Sequence, residues 1–212
     1  MVERHEPTSR EKILEVAEAL FARSGFAGVG LRELADRSGL GKSSLFHHFR
    51  SKGHIYLEVL RTVLERIQER LAPVIRSQSG PAEKLPAWVE ALIDALAEHP
   101  NSARLLLRAL FEDDDFPEDL EQQAQEVEGI VMSILGTYQA IVQQGIDLEI
   151  FQPVSVTDAT QTMIGATVYH FASGEIGEAV TGGPIFAAAA IQRRRREVVH
   201  FLIGGLTADP TH

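Results

Sequence analysis

Cysteine is absent from this 212-residue chain, which excludes disulfides, thiol nucleophiles, thiol redox sensing and any zinc site built on cysteine. Aromatic side chains are sparse, with one Trp, three Tyr and ten Phe. The longest charge-free apolar stretch, Gly129 to Ile146, carries Gln139, Gln143 and Gln144 in its C-terminal half and makes a poor membrane span. Met1 to Pro7 is polar and charged, without the character of a signal peptide. Together these absences predict a soluble protein of a reducing compartment, expected in the cytoplasm and not at a membrane.

Basic residues are few: 20 Lys+Arg face 30 Asp+Glu, a formal net charge of −10. As an average this argues against a nucleic-acid partner, but the charge is unevenly placed. Residues 1–76 hold 13 basic and 10 acidic side chains, net +3, and residues 77–212 hold 7 and 20, net −13. Between Asp36 and Glu58 there is no acid at all, while Arg37, Lys42, Arg50 and Lys52 fall there with His47, His48 and His54. Such asymmetry points to a polyanion meeting one part of the chain only. A hydrophobic share of 44% with 24% charged residues is that of a folded globular protein, one or two domains long.

The periodicity is helical nearly throughout. Thr8 and Glu11 have capping-box spacing, and Ile13, Leu14, Ala17, Leu20 and Phe21 follow at intervals of three and four. Gly25 supplies a stop. Short helices are predicted from Leu31 to Ser38 and from Lys42 to Phe49. Ser51 then caps a long helix with Ile55, Val59, Val63, Ile67, Leu71 and Val74 on one face, perturbed near its end by Pro73. After the break from Ser77 to Pro81, helices are expected over 83–98, 101–112, 117–145, 155–173 and 186–206. Period-two alternation bounded by turns is missing, so the fold class is all-α.

The informative segment runs from Leu31 to Phe49. Two short helices that cross need a small residue where they approach, here Ala35, and a turn residue tolerant of a left-handed backbone, here Gly39. Leu34, Leu40, Leu45 and Phe49 are placed to seal the interior. Lys42, Ser43, Ser44, Phe46, His47 and His48 are left toward solvent, on the half of a helix-turn-helix that enters a major groove.

Here a family resemblance becomes specific. The run Gly25-Phe26, Leu31-Arg-Glu-Leu-Ala35, Ser38-Gly-Leu40, Lys42, Leu45-Phe-His-His-Phe49 and Ser51-Lys52 resembles the N-terminal domain of the tetracycline-repressor (TetR/AcrR) family of bacterial regulators. The resemblance implies a three-helix helix-turn-helix DNA-binding domain, residues 1–54, and a larger helical regulatory and dimerisation domain, residues 55–212. It implies that Lys42, Ser43 and Ser44 open the recognition helix near bases and phosphates and that His47 is a second groove-facing position. Lys52 matches a phosphate contact at the start of the fourth helix, and Arg32 and His48 complete the expected DNA set. Phe46 stands where the family usually has a Tyr whose hydroxyl reaches a phosphate. Val29-Gly30 and Gly41 replace residues that are usually hydroxylated, so fewer phosphate contacts are expected, each lost one lowering the salt slope by roughly 0.9.

Rival readings are weaker. Gly41-Lys42-Ser43 mimics the end of a P-loop, but position 36 is Asp and no strand precedes it. His47, His48 and His54 lack metal-ligand spacing, and adjacent residues point to different helix faces. Glu112 to Asp115 with Glu118, Asp119 and Glu121 lacks the ladder and central glycine of a calcium loop and reads as a solvated corner. Arg193 to Arg196 lies inside an apolar-periodic helix and is expected to pair with carboxylates at a subunit interface or to form a solvated face.

By analogy, an effector site is expected among the middle helices, with Trp88, Phe111, Met132, Tyr138, Met163 and Tyr169 as candidates and His170 adding a polar group. So few basic residues there favour a neutral or cationic apolar effector. Small residues, Gly165, Ala166, Ala172 and Ala187 to Ala190, suit a homodimer through the last two helices. The leading expectation is a dimeric repressor of a palindromic double-stranded operator, released by a small molecule, with no metal or cofactor. The alternative is a helical binding protein or enzyme that keeps the N-terminal module as scaffold, although no nucleophile–base pairing or metal spacing supports catalysis.

Overall fold

The computed structural model describes residues 8–111 and 118–207; of these, the side chains of Lys42, Phe111 and Glu118 are outside the described set. Helix α1 spans Ser9–Ser24, and the sequence-predicted capping box closes it. Thr8 N–H donates to Glu11 Oε2 at 2.7 Å, and Glu11 N–H donates to Thr8 Oγ1 at 3.3 Å. Its C-terminus is closed by Gly25, at φ 71°, whose N–H donates to the Phe21 carbonyl.

Helices α2 (Leu31–Arg37) and α3 (Lys42–His48) follow. Between them Leu40 N–H donates to the Ala35 carbonyl and Gly39 N–H to that of Asp36, with Gly39 at φ 67°. This is the Schellman pattern, and it needs the left-handed backbone that glycine adopts without a Cβ penalty. Leu34, Ala35, Leu45 and Phe49 are buried as expected, while Leu40 is only half-buried. Helix α4 (Lys52–Arg76) starts on the Ser51 cap and carries Pro73 within its last turn. The expected division at residue 54 therefore falls in the first turn of this helix. Tyr56 on α4 packs edge-on against Phe21 of α1, centroids 5.0 Å apart, and against Phe26 at 5.1 Å.

Helix α5 (Pro81–Glu98) begins with proline at its first position, where a missing N–H is harmless, and packs on α4. Helix α6 (Ser102–Phe111) packs on α1. A 3-10 turn, Glu118–Leu120, leads into α7 (Glu121–Asp147), which packs on α4 and α5. The carboxylate run Glu112 to Asp115 lies outside the described residues; Asp119 and Glu121 are exposed.

The expected single helix over 155–173 is divided. Helix α8 (Val156–Ile164) gives way to a π-helical turn, Gly165–Tyr169, and then the short α9 (His170–Ala172). The following α10 (Gly174–Thr181) was missed from the sequence, because Gly174, Gly177 and Gly182 read as breakers. Gly174, at φ 55°, starts this helix and Gly182, at φ 77°, ends it. The last helix, α11 (Ala188–Leu206), packs on α5. The arginine run sits on α11, where Arg195 pairs with Asp94 of α5 and Arg194 donates to the Ala166 carbonyl in the π turn. Those two arginines thus bind within the chain, which corrects the expectation of an interface or solvent role for them; Arg193 and Arg196 are exposed. Among the described residues there is no strand, and no helix is long and apolar enough to cross a membrane.

Candidate DNA-binding face and ligand cavity

Helix α3 is held by its inward residues, Leu45 and then Phe49 just beyond its end. Ser43, Ser44, Phe46, His47 and His48 consequently all reach solvent on its outer side. The imidazoles of His47 and His48 meet edge to face with centroids 5.4 Å apart. Arg32 on α2 is also exposed and lies 4.0 Å from Asp36, one turn on. Arg10 of α1 pairs with Glu58 of α4 at 2.6 Å and stacks over the Phe49 ring.

Lys52 has a different environment from the other expected DNA contacts. Its Nζ donates to the Phe26 carbonyl at 2.8 Å and lies 4.2 Å from the centre of the Phe26 ring. In this conformation the ammonium ties the start of α4 to the loop after α1, and reaching a phosphate requires giving up that bond.

A second feature lies in the helical body. A cavity of about 320 Å³ is enclosed by α4, α5, α6, α7 and the α8–π segment. Its wall is built from Leu57, Leu60 and Leu64 of α4, Trp88 of α5, Leu106 of α6 and Val131 of α7, among other apolar residues. Among the described residues, Glu128 is the one charged side chain in this wall. Trp88 is fully buried, its indole N–H donating to Thr137 Oγ1 at 2.8 Å and its ring packed against Tyr138 at 5.3 Å.

The expected ligand residues separate into groups. Trp88 and Met163 line the cavity. Tyr138 stands behind Trp88, where burial raises its phenol to about 12 and its hydroxyl reaches the Ala159 carbonyl. Met132 and Tyr169 are largely exposed and outside the cavity, the latter at the end of the π turn. His170 faces a separate small space with Arg193, Arg194, Thr181 and Glu197. There its Nε2 is buried and has no hydrogen-bond partner among the described residues. Among the cavity residues missed from sequence, Leu57, Leu60 and Leu64 form a second stripe beside the one noted on α4.

The two features are joined through α6. Arg108 donates from Nε to the Ala22 carbonyl and from Nη2 to the Arg23 carbonyl, both at 3.1 Å, at the end of α1. At the start of the same helix, Ser102 Oγ donates to Glu18 Oε1 at 3.1 Å, and Arg66 of α4 donates to Glu18 Oε2 at 2.8 Å. Glu18 is a buried acid on the apolar face of α1, one turn from Leu14 and Phe21. That interruption of the stripe was the sequence signal for it.

A groove between α8 and α11 is lined by Ala159, Thr162, Phe201, Leu202, Gly204 and Gly205, with others, and encloses about 830 Å³ of open space. Phe201 is 68% exposed there.

Residues 13–59 match the family model described as bacterial regulatory proteins, tetR family. Residues 81–202 match that of the tetracyclin repressor-like C-terminal domain. The transcriptional repressor KstR2 of Mycobacterium tuberculosis is 26% identical over 208 residues, 94% of each chain. Its solved structure, titled a ketosteroid transcriptional regulator, superposes with a TM-score of 0.76 at 23% identity, covering 99% of this chain and 100% of that one. FadR of Bacillus subtilis in complex with stearoyl-CoA gives a TM-score of 0.68 at 19% identity, over 92% of this chain and 97% of that one. AibR in complex with isovaleryl coenzyme A and operator DNA gives 0.73 at 15% identity, with the same coverage. The structural likenesses establish the all-helical fold.

Proposed function

Since this chain belongs to the tetR family of bacterial regulatory proteins, which are ligand-responsive DNA-binding regulators, we propose that it is a homodimeric repressor. In this reading it holds a palindromic operator and releases it when a small apolar molecule fills the central cavity. Residues 1–54 supply the DNA-binding module and residues 55–212 the regulatory and dimerisation body. Lys42, Ser43, Ser44 and His47 meet the major groove, with Arg32, Phe46, His48 and Lys52 at its edges. Two copies of α3 then read successive grooves roughly 34 Å or somewhat more apart.

One observation carries the reading: α6 walls the cavity with Leu106 while Ser102 and Arg108 of the same helix hold α1 of the DNA-binding module. A ligand that fits better with α6 displaced favours a displaced α1 and hence a changed α3 spacing. A ligand with equal affinity for both arrangements would shift nothing. The dimer reading is supported by the α8–α11 groove, where exposed Phe201 stands beside glycines and alanine that permit close helix approach. The acidic body repels the duplex away from the two basic modules, and a cytoplasmic location follows from the DNA partner.

The reading is tested by gel shift and footprinting on DNA upstream of the protein's own gene, with sedimentation to measure the oligomer. Protection of a palindrome by a dimer is expected, with a steep salt dependence. Alanine at Lys42 and His47 should abolish protection and leave the fold and dimer intact. An absence of protection at moderate salt would overturn it, and activation instead of repression in a reporter strain would reverse its sign.

A further inference from the structure

The chemistry of the cavity limits what it accepts, given the reading of it as the effector site. Its volume, about 320 Å³, corresponds to roughly ten water molecules, room for a chain of about ten heavy atoms. Apolar side chains form the wall on every contributing helix, so a ligand portion inside finds few hydrogen-bond partners and must itself be apolar. Among the described lining residues, Leu110 and Glu128 are exposed, so the wall meets solvent there. A polar head therefore has to sit at that mouth.

The mouth is a place for a neutral or positive head. Among the described residues the lining contains no basic side chain. Helix α7 has no Lys, Arg or His along its whole length and brings Glu121, Glu126 and Glu128 to the surface. The arginines on the neighbouring helices stand outside the described lining of the cavity. Arg61 pairs with Glu126 at 2.9 Å, Arg66 with Glu18, and Arg108 with the carbonyls ending α1. An anionic head would lose part of its hydration, meet the Glu128 carboxylate and find no counter-charge in the described lining.

We infer that this cavity takes an uncharged or cationic apolar molecule through the Leu110–Glu128 mouth and discriminates against anionic heads, including those of fatty acids and acyl-CoA. In this it would differ from the fold neighbour seen with stearoyl-CoA. The inference rests on the proposed function for its biological sense, but its own test is separate.

Trp88 is the chain's single tryptophan and lines the cavity, so its emission reports occupancy without a label. Decanol, decyltrimethylammonium, decanoate and decanoyl-CoA are titrated into the purified full chain at fixed ionic strength, with operator binding followed in the same samples. Decanol and the ammonium should shift Trp88 emission saturably, at least tenfold tighter than decanoate or decanoyl-CoA. Glu128→Gln, at an exposed position, should narrow the gap between ammonium and carboxylate by several fold. Decanoate or decanoyl-CoA binding as tightly as decanol would overturn the inference. So would the absence of any Trp88 response. In either case retained operator binding leaves the regulator reading standing, whereas loss of operator binding by the untreated protein defeats that reading instead.

Discussion

Arg108, near the end of α6, donates its guanidinium Nε–H to the carbonyl of Ala22 in the last turn of α1, at 3.1 Å. Two residues earlier, Leu106 of the same helix lines the central cavity. The charge-assisted bond also complements the negative end of the α1 dipole, so it resists separation of the two helices. The cavity and the DNA-binding module are therefore mechanically joined at a named contact, the condition for one to bias the other.

Replacing Arg108 by Met keeps an unbranched apolar stem and removes the donors. Effector binding, read from Trp88 emission with decanol, should be nearly unchanged. The weakening of operator binding by the same probe should fall from the roughly 5- to 150-fold typical of coupled sites toward unity. Fluorescence anisotropy of a labelled operator with and without decanol measures that ratio. Undiminished release in the variant would place the coupling elsewhere.

Glu18 is the second joint, and it carries stability as well. Its carboxylate accepts from Arg66 and from Ser102, whose hydroxyl is itself buried. Glu18→Ala leaves a buried hydroxyl and a half-buried guanidinium unpaired, and should cost about 2 kcal/mol. Glu18→Gln keeps an acceptor for one of the two donors and should cost roughly half as much. Urea unfolding midpoints at unchanged m-value give both figures. Equal losses for Ala and Gln would mean that the ionic charge, and not the hydrogen bonding, dominates.

The limits of the sequence follow from where its signals are local. The Thr8–Glu11 capping box and the Gly25 and Gly39 stops each act within a few residues, and all three are present as expected. The outward face of α3 was also legible, because burial of Leu45 and Phe49 determines which neighbours point away. The π turn was not, since a single i→i+5 turn inside an α-helix leaves no mark in apolar spacing. Helix α10 was hidden by three glycines whose positive φ or close packing only the tertiary structure requires. Lys52 matches a phosphate contact in pattern, yet its bond to the Phe26 carbonyl depends on a loop brought near by folding.

Glycines in α7 should respond oppositely to the same substitution. Gly129 is exposed and a Cβ there meets nothing within 4 Å. Gly129→Ala should stabilise by about 0.5–1 kcal/mol through helix propensity alone. At Gly145 a Cβ would lie 2.0 Å from Cδ2 of the buried Phe151 ring. The amides of Ile150 and Phe151 both donate to the Gly145 carbonyl, so that ring cannot easily retreat. Gly145→Ala should therefore destabilise by about 1–3 kcal/mol, as overpacking does. Thermal melts of the two variants side by side decide it, and stabilisation at Gly145 would mean that the turn after α7 is loosely held.

A pH dependence should arise at His170. Burial, and then the charges of Arg194 and Arg193, lower its imidazole from 6.5 to about 4. Of the other groups around it, the Glu197 carboxylate is the one that would favour the protonated ring, while Thr181 is uncharged. The folded protein thus holds His170 neutral, whereas the unfolded chain takes up a proton below about 6.5. The unfolded state binds more protons in that interval, so stability is complete above 6.5 and declines as pH falls toward 4. His170→Gln cannot titrate and should flatten that part of the profile. Urea midpoints for both proteins at pH 7 and pH 5 make the comparison, the wild type losing more over the interval than the variant. Parallel losses would assign the acid sensitivity to carboxylates paired in the fold, such as Asp94 with Arg195, and would leave the imidazole without a part in it.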